Sequence, residues 1–209
     1  MLPPPPLPVD KCANRFAHVF GGDGLLTSCA AYVQSLSLDE VVTQTPGMNQ
    51  MDMQGDASGF LQAGKPLLTL HHWWGWLDLF PNKGAMDSML LLSAAARVVG
   101  GRNLLKRWVF DGGRVAMSLG YSITLYKEPL AADDLGKLEW TWTEFEPIAT
   151  PRPERVERTE KLSYFLTEVK HVGPNLALLR HTCEDASVAN GTNVVDVLWD
   201  TRAHSFWRR

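Results

Sequence analysis

At 209 residues the chain is long enough to bury a sizeable core, and 45% hydrophobic against 21% charged residues is the balance of a folded globular protein, not of a disordered or collagen-like one. A formal charge of −3 gives no electrostatic footprint for nucleic acid, and the one basic cluster, Arg152, Arg155, Arg158 and Lys161, is interleaved with Glu154, Glu157 and Glu160. The longest apolar stretch, Met89 to Val99, is broken by Ser93 and Arg97 and is shorter than the ~20 residues needed to cross a bilayer.

In chain order, Met1 to Val9 is a proline run without the basic and apolar regions of a secretory signal, and reads as a stiff linker or an arbitrary start. From Gly24 to about Leu36 the apolar residues Leu25, Leu26, Cys29, Ala30, Val33 and Leu36 follow helical spacing, with Asp23 expected as the N-cap. Val41 to Gln44 is expected as a strand ended by Pro46-Gly47, and Asn49 to Gly64 as a polar loop. Pro66 to His71 reads as a buried strand, and residues 85 to 99 as a helix stopped by Gly100-Gly101. From Leu104 the texture changes to short β-rich runs separated by turns: LLKRWVF, RVAMSLGYSITLY, LEWTWTEF, KLSYFLTEV, NLALLRHT and NVVDVLWD. No repeat of fixed period is present, which argues against a solenoid or propeller.

Three groups of residues have chemical potential. Asp23, in FGGDGLLTSC, is a carboxylate at a glycine-flanked helix start, a position that suits a general base and a structural cap equally. His71 and His72 follow an apolar strand and point to opposite faces, so at most one enters a given site, as a divalent-metal ligand or as a hydrogen-bonded core histidine. Trp73, Trp74 and Trp76 either fill a core or stack on the C–H faces of sugar rings. Asp133-Asp134 sits in a polar turn, and the chain has no P-loop, no G-x-G-x-x-G after a strand, no G-x-S-x-G and no C-x-x-C. Cys12 and Cys29 could pair across a short loop, and Asn190-Gly191-Thr192 is a glycosylation sequon.

The ordered segments KCANRFAHVFGGDGLLTSC, TPGMNQMDMQGDASGF, PLLTLHHWWGWLDLFP, SLGYSITLY and LEWTWTEF resemble the glycosyltransferase superfamily of the Fringe proteins and the core-1 β-1,3-galactosyltransferases, glycosyltransferase family 31, and most of all its fungal branch. The resemblance spans about residues 11 to 145. It implies that Asp23, six positions before Cys29, is the catalytic base, that Cys12 and Cys29 form a disulfide, and that His71 helps to hold Mn²⁺. It further implies a UDP-sugar donor, a glycan or glycoprotein acceptor, transfer of a hexosyl group with inversion, a Golgi or secretory-lumen location and a membrane link only through an N-terminal anchor absent from this chain.

The expected fold class is α/β. Residues 11–100 are the C-terminal part of a GT-A-type, Rossmann-like glycosyltransferase domain, residues 101–209 a β-rich extension and residues 1–10 a proline-rich linker or truncated start. One departure from the family stands out: its Asp-x-Asp metal motif should lie well before Asp23, yet only 22 residues precede that position. The expectation is a shortened form of an enzyme; the alternative is a non-catalytic glycan-binding or interaction module derived from one.

Overall fold

The structure, a computed structural model, describes residues 9–43, 45, 48–49, 55–56, 58–64, 68–70, 77–131, 160–185 and 193–204. The chain forms two compact units, Met1–Pro46 and Gly47–Arg209.

The first unit contains three helices: α1 (Val9–Arg15), α2 (Gly22–Gln34) and α3 (Leu38–Val41). A disulfide between Cys12 and Cys29 ties α1 to α2, with their Cα atoms 5.7 Å apart. Beside it the Arg15 guanidinium lies 4.1 Å from the centroid of the Tyr32 ring, and Phe16 meets the same ring edge-on. Helix α2 ends where Ser35 turns left-handed (φ 55°), which lets the Leu36 N–H reach back to the Ala31 carbonyl at 3.0 Å. Cys12 and Ala31 are the only buried hydrophobic residues of this unit among those described.

Two expectations change here. Asp23 is not the N-cap of α2: Gly21, at φ 85°, takes that place and Asp23 falls inside the first turn. A glycine adopts the positive φ without the steric cost a side chain would bring, so the helix starts earlier than the apolar spacing indicates. Of the strand expected over Val41 to Gln44, Val41 is instead the last residue of α3, Val42 and Thr43 follow it outside any strand, and Gln44 lies outside the described residues. Ser37 and Glu40 close a capping box in which the Glu40 carboxylate accepts from the Ser37 N–H and hydroxyl, each at 2.8 Å, and this favours a helical turn.

In the second unit, two very short parallel ladders precede the main sheet. Strand β1 (Met48–Asn49) pairs with β3 (Thr69–Leu70), and β2 (Gly55–Asp56) with β4 (Leu77–Asp78), while α4 (Ser58–Gln62) lies in the crossovers. The strand expected over Pro66 to His71 is thus described only at its centre, and Leu68, expected in a core, is 67% exposed. The helix expected over residues 85–99 forms as α5 (Ala85–Val99) and stops at Gly100, whose φ of 81° ends the helical run. Its buried residues Ser88, Leu92, Ala95 and Val99 recur at helical spacing and make one inward stripe.

The main sheet is a six-stranded antiparallel meander of β5 (Arg107–Phe110), β6 (Val115–Ser118), β7 (Ser122–Tyr126), β8 (Lys161–Gly173), β9 (Leu176–Cys183) and β10 (Val194–Asp200), in the spatial order β10-β9-β8-β7-β6-β5. Five of the six β-rich runs supply these strands; LEWTWTEF lies outside the described residues. The core joins Leu92, Ala95 and Val99 of α5 to Leu166 and Leu179 of the sheet, so it runs continuously across residue 100. Tyr121 is its pivot: fully buried, it packs against Phe80 (4.8 Å) and Phe165 (5.7 Å), and its hydroxyl donates to the Leu79 carbonyl. Gly120, at φ 78°, makes this possible, because a Cβ there would sit 3.1 Å from that of Ala95 on α5. No helix among the described residues is long and apolar enough to cross a membrane.

Candidate functional site

Of the residues singled out from the sequence, Asp23, Cys12 and Cys29 are described, all in the first unit. His71, Trp73, Trp74, Trp76 and Asn190 lie outside the described residues, as does Asp133-Asp134. The site can therefore be built upward only from Asp23.

Asp23 is exposed, in the first turn of α2, where unpaired N–H groups and the helix dipole favour a negative charge. Its Oδ1 accepts from the Gly24 N–H at 2.9 Å, and its own carbonyl accepts from the Thr27 hydroxyl at 2.8 Å, one turn on. One carboxylate oxygen is thus anchored, and none of the described residues bonds to the other. The two glycines before it keep the approach clear. A Cβ on Gly21 would come within 2.7 Å of Asp23 Oδ1, whereas a Cβ on Gly22 would meet nothing within 4 Å. Phe20, just before the glycine pair, is 100% exposed. The Cys12–Cys29 bridge holds the second turn of this helix, so the carboxylate projects from a covalently braced element.

This arrangement can accept a proton. A base needs an oxygen with a free lone pair and an open approach, and an exposed carboxylate such as that of Asp23 can supply both. The described residues do not assemble a metal centre: no group of three His, Cys, Asp or Glu side chains among them could hold an ion.

One histidine that the sequence reading passed over is deeply placed. His181, on β9 at 1% exposure, has its imidazole pushed down to about 4, chiefly by burial, and is neutral at physiological pH. Its position at every second residue with Ala177, Leu179 and Cys183 on the inward face of β9 was available as a signal, since that alternation marks a core position. It is a core histidine, remote in sequence from the candidate base.

The family model described as "Protein of unknown function, DUF604" matches residues 7–175, from just before α1 to the turn that follows β8. No curated protein and no solved structure matches the chain. The matched segment includes Cys12, Asp23 and Cys29 and covers most of the sequence. The chain therefore belongs to the DUF604 family, a family of proteins similar to the core-1 β-1,3-galactosyltransferases of glycosyltransferase family 31.

Proposed function

We propose that this chain is an inverting hexosyltransferase of the fungal branch of that family, in which Asp23 is the general base that activates the acceptor. The observation that carries the reading is the exposed carboxylate of Asp23, on a helix braced by Cys29 six residues later. In the step proposed, Asp23 takes the proton of an acceptor hydroxyl as that oxygen bonds to the anomeric carbon of a UDP-sugar. The bond from that carbon to the UDP oxygen breaks on the opposite face, the electron pair leaves with UDP, and the configuration inverts.

Further parts of the reading rest on the family likeness. Residues 11–100 are the later part of a GT-A-type α/β domain, supported by the two parallel ladders, whose strands require crossover connections. Residues 101–209 form the β-rich extension. From the residues themselves, the flat faces of Trp73, Trp74 and Trp76 serve as a sugar platform and Asn190-Gly191-Thr192 is a glycosylation sequon. A disulfide is typical of an oxidising compartment, which supports a Golgi or secretory-lumen location. His71 would hold Mn²⁺, which when bound neutralises charge on the departing UDP. The described residues provide no complete ligand set for the ion.

The test is release of UDP from a panel of UDP-hexoses, with Mn²⁺ and simple glycosides as acceptors, by the wild-type chain, Asp23→Asn and the control Asp39→Asn. Loss of the base should lower the rate by about 10²- to 10⁴-fold, while the control keeps its activity. Full activity in Asp23→Asn would remove it as the base. Glycan binding with neither UDP binding nor UDP release would favour the glycan-binding module instead.

A further inference from the structure

Among the described residues the six-stranded sheet is open, and its two edges differ. At one, β5 is four residues long and is preceded by Lys106, whose ammonium lies 4.9 Å from the centroid of the Trp108 ring. At the other, β10 offers seven residues, Val194–Asp200, with no proline, glycine or lysine to discourage pairing. Its two charges are already engaged inside the chain. The Arg180 guanidinium holds Asp196 through two bonds, at 2.9 and 2.8 Å, and Arg202 holds Asp200, with Nη2 to Oδ2 at 2.6 Å. Val194 and Leu198 remain 44% and 61% exposed.

The phase of the ladder fixes which backbone groups of β10 are free among the described residues. The Cys183 N–H donates to the Asn193 carbonyl and the Thr201 N–H to the Asn175 carbonyl, both at 2.9 Å. The odd-numbered residues of β10 therefore bond to β9. The even-numbered residues Val194, Asp196, Leu198 and Asp200 direct their N–H and C=O groups away from the sheet. The alternation also places Val195, Val197 and Trp199, all partly buried, together on the face that packs against the core.

We propose that β10 is a homodimer interface, pairing antiparallel with β10 of a second copy of this chain about a two-fold axis at Val197. That register alone pairs all seven residues of the strand with their counterparts, and it opposes no two carboxylates. Centred on Val197, the outward backbone groups of Val194 meet those of Asp200, and those of Asp196 meet those of Leu198. On the core face Val195 lies opposite Trp199, and Val197 opposite its own copy, in the closer non-hydrogen-bonded positions. Moving the centre to Asp196 sets that carboxylate against itself; moving it to Leu198 sets Asp196 against Asp200. Both moves bring like charges into direct opposition. The result is one continuous sheet through two subunits, closed by the symmetry of an isologous contact.

The experiment is sedimentation velocity of the full 209-residue chain together with two kinds of variant. The wild type should sediment at twice the monomer mass. Leu198→Pro should return it to monomer with unchanged circular dichroism, because the N–H removed points away from β9 and the intramolecular ladder is spared. Val197→Cys should give a disulfide-linked dimer under mild oxidation, since its symmetry mate lies about 4.5 Å away at Cα. Leu198→Cys, which faces Asp196 of the other copy, should not. A monomeric wild type, a folded Leu198→Pro that stays dimeric, equal cross-linking of the two cysteine variants, or growth into larger assemblies through a β5-to-β10 contact would each overturn the proposal. If Leu198→Pro fails to fold, the cysteine pair decides.

Discussion

The two compact units are stabilised by different means. In the first, two hydrophobic residues among those described are buried and a covalent bond joins α1 to α2, whereas Phe20, Leu26 and Leu38 stay in water. In the second, α5 lies against six strands over a core that includes Tyr121, Leu166, Ala177 and Leu179, each fully buried. Burial stabilises by the apolar area removed from water, and a short, polar helical unit has little of it to remove. The candidate base therefore sits in the unit whose order depends on redox state, and the large core lies in the other. Perturbations of burial and of the disulfide should act on different parts of the molecule.

The largest effect is expected in the sheet unit. Tyr121→Ala empties the space between Phe80 and Phe165 and strands the Leu79 carbonyl, and should cost about 3–5 kcal/mol in urea unfolding, while α2 keeps its amide protection. Acid is the next way to separate the units. His181 has a folded-state value of about 4 against an ordinary 6.5, so between these pH values the unfolded chain binds the proton and the folded chain does not. Stability of the sheet unit is full above pH 6.5 and should fall by about 3 kcal/mol as pH drops toward 4, a slope that His181→Leu should flatten. In the helical unit Glu40 behaves differently. Its hydrogen bonds from Ser37 lower it below 4.5, so the capping contribution persists above that pH and fades only beneath it. Amide exchange at pH 5.5 against pH 7 should therefore show the sheet loosening and α3 unchanged.

How much of this was legible in the sequence follows the same division. Helix α5 and the five β-rich runs that supply the six strands of the sheet were readable because long apolar periodicity records burial, and burial dominates in that unit. The helical unit was misread at both of its starts. Gly21 moved the beginning of α2 and Ser37 with Glu40 set α3, and both effects are local hydrogen-bond and backbone terms that leave no apolar pattern. His181 escaped notice because a lone histidine in an alternating strand carries no motif. At the candidate site, spacing alone left Asp23 divided between cap and base. The structure moves Asp23 from the cap position, which Gly21 occupies, into the first turn, where its carboxylate accepts from the Gly24 N–H. His71, which the family likeness assigns to the same site, and the tryptophans, whose flat faces suit a core or a sugar alike, gain nothing from the geometry, because they lie outside the described residues.

The disulfide gives the complementary break. Cysteines 17 residues apart close a loop whose constraint on the unfolded chain is worth about 3 kcal/mol, so Cys29→Ser should loosen the helical unit by roughly that amount and leave the urea midpoint of the sheet unit in place. Limited proteolysis at Arg15, which α1 and the Tyr32 stacking hold in the intact unit, should report it. A loss spread equally over both units would mean that their stabilities are linked.

The smallest effect is the most local and bears directly on the base. Gly21→Ala asks a side chain to adopt φ 85° with ψ 145°, which costs about 1–3 kcal/mol, and drives its Cβ to 2.7 Å from Asp23 Oδ1, where something must move. The carboxylate is the freer partner, so its bond to the Gly24 N–H should break before the helix does. The check is the Gly24 amide resonance, expected upfield in Gly21→Ala while the amides of Tyr32 and Val33 hold their shifts. Gly22→Ala is the matched control, because a Cβ there meets nothing within 4 Å and should leave Gly24 as it is. If both substitutions move Gly24 alike, the glycine pair serves general flexibility at the helix start. If only Gly21→Ala does, its missing side chain is the space in which the carboxylate is held.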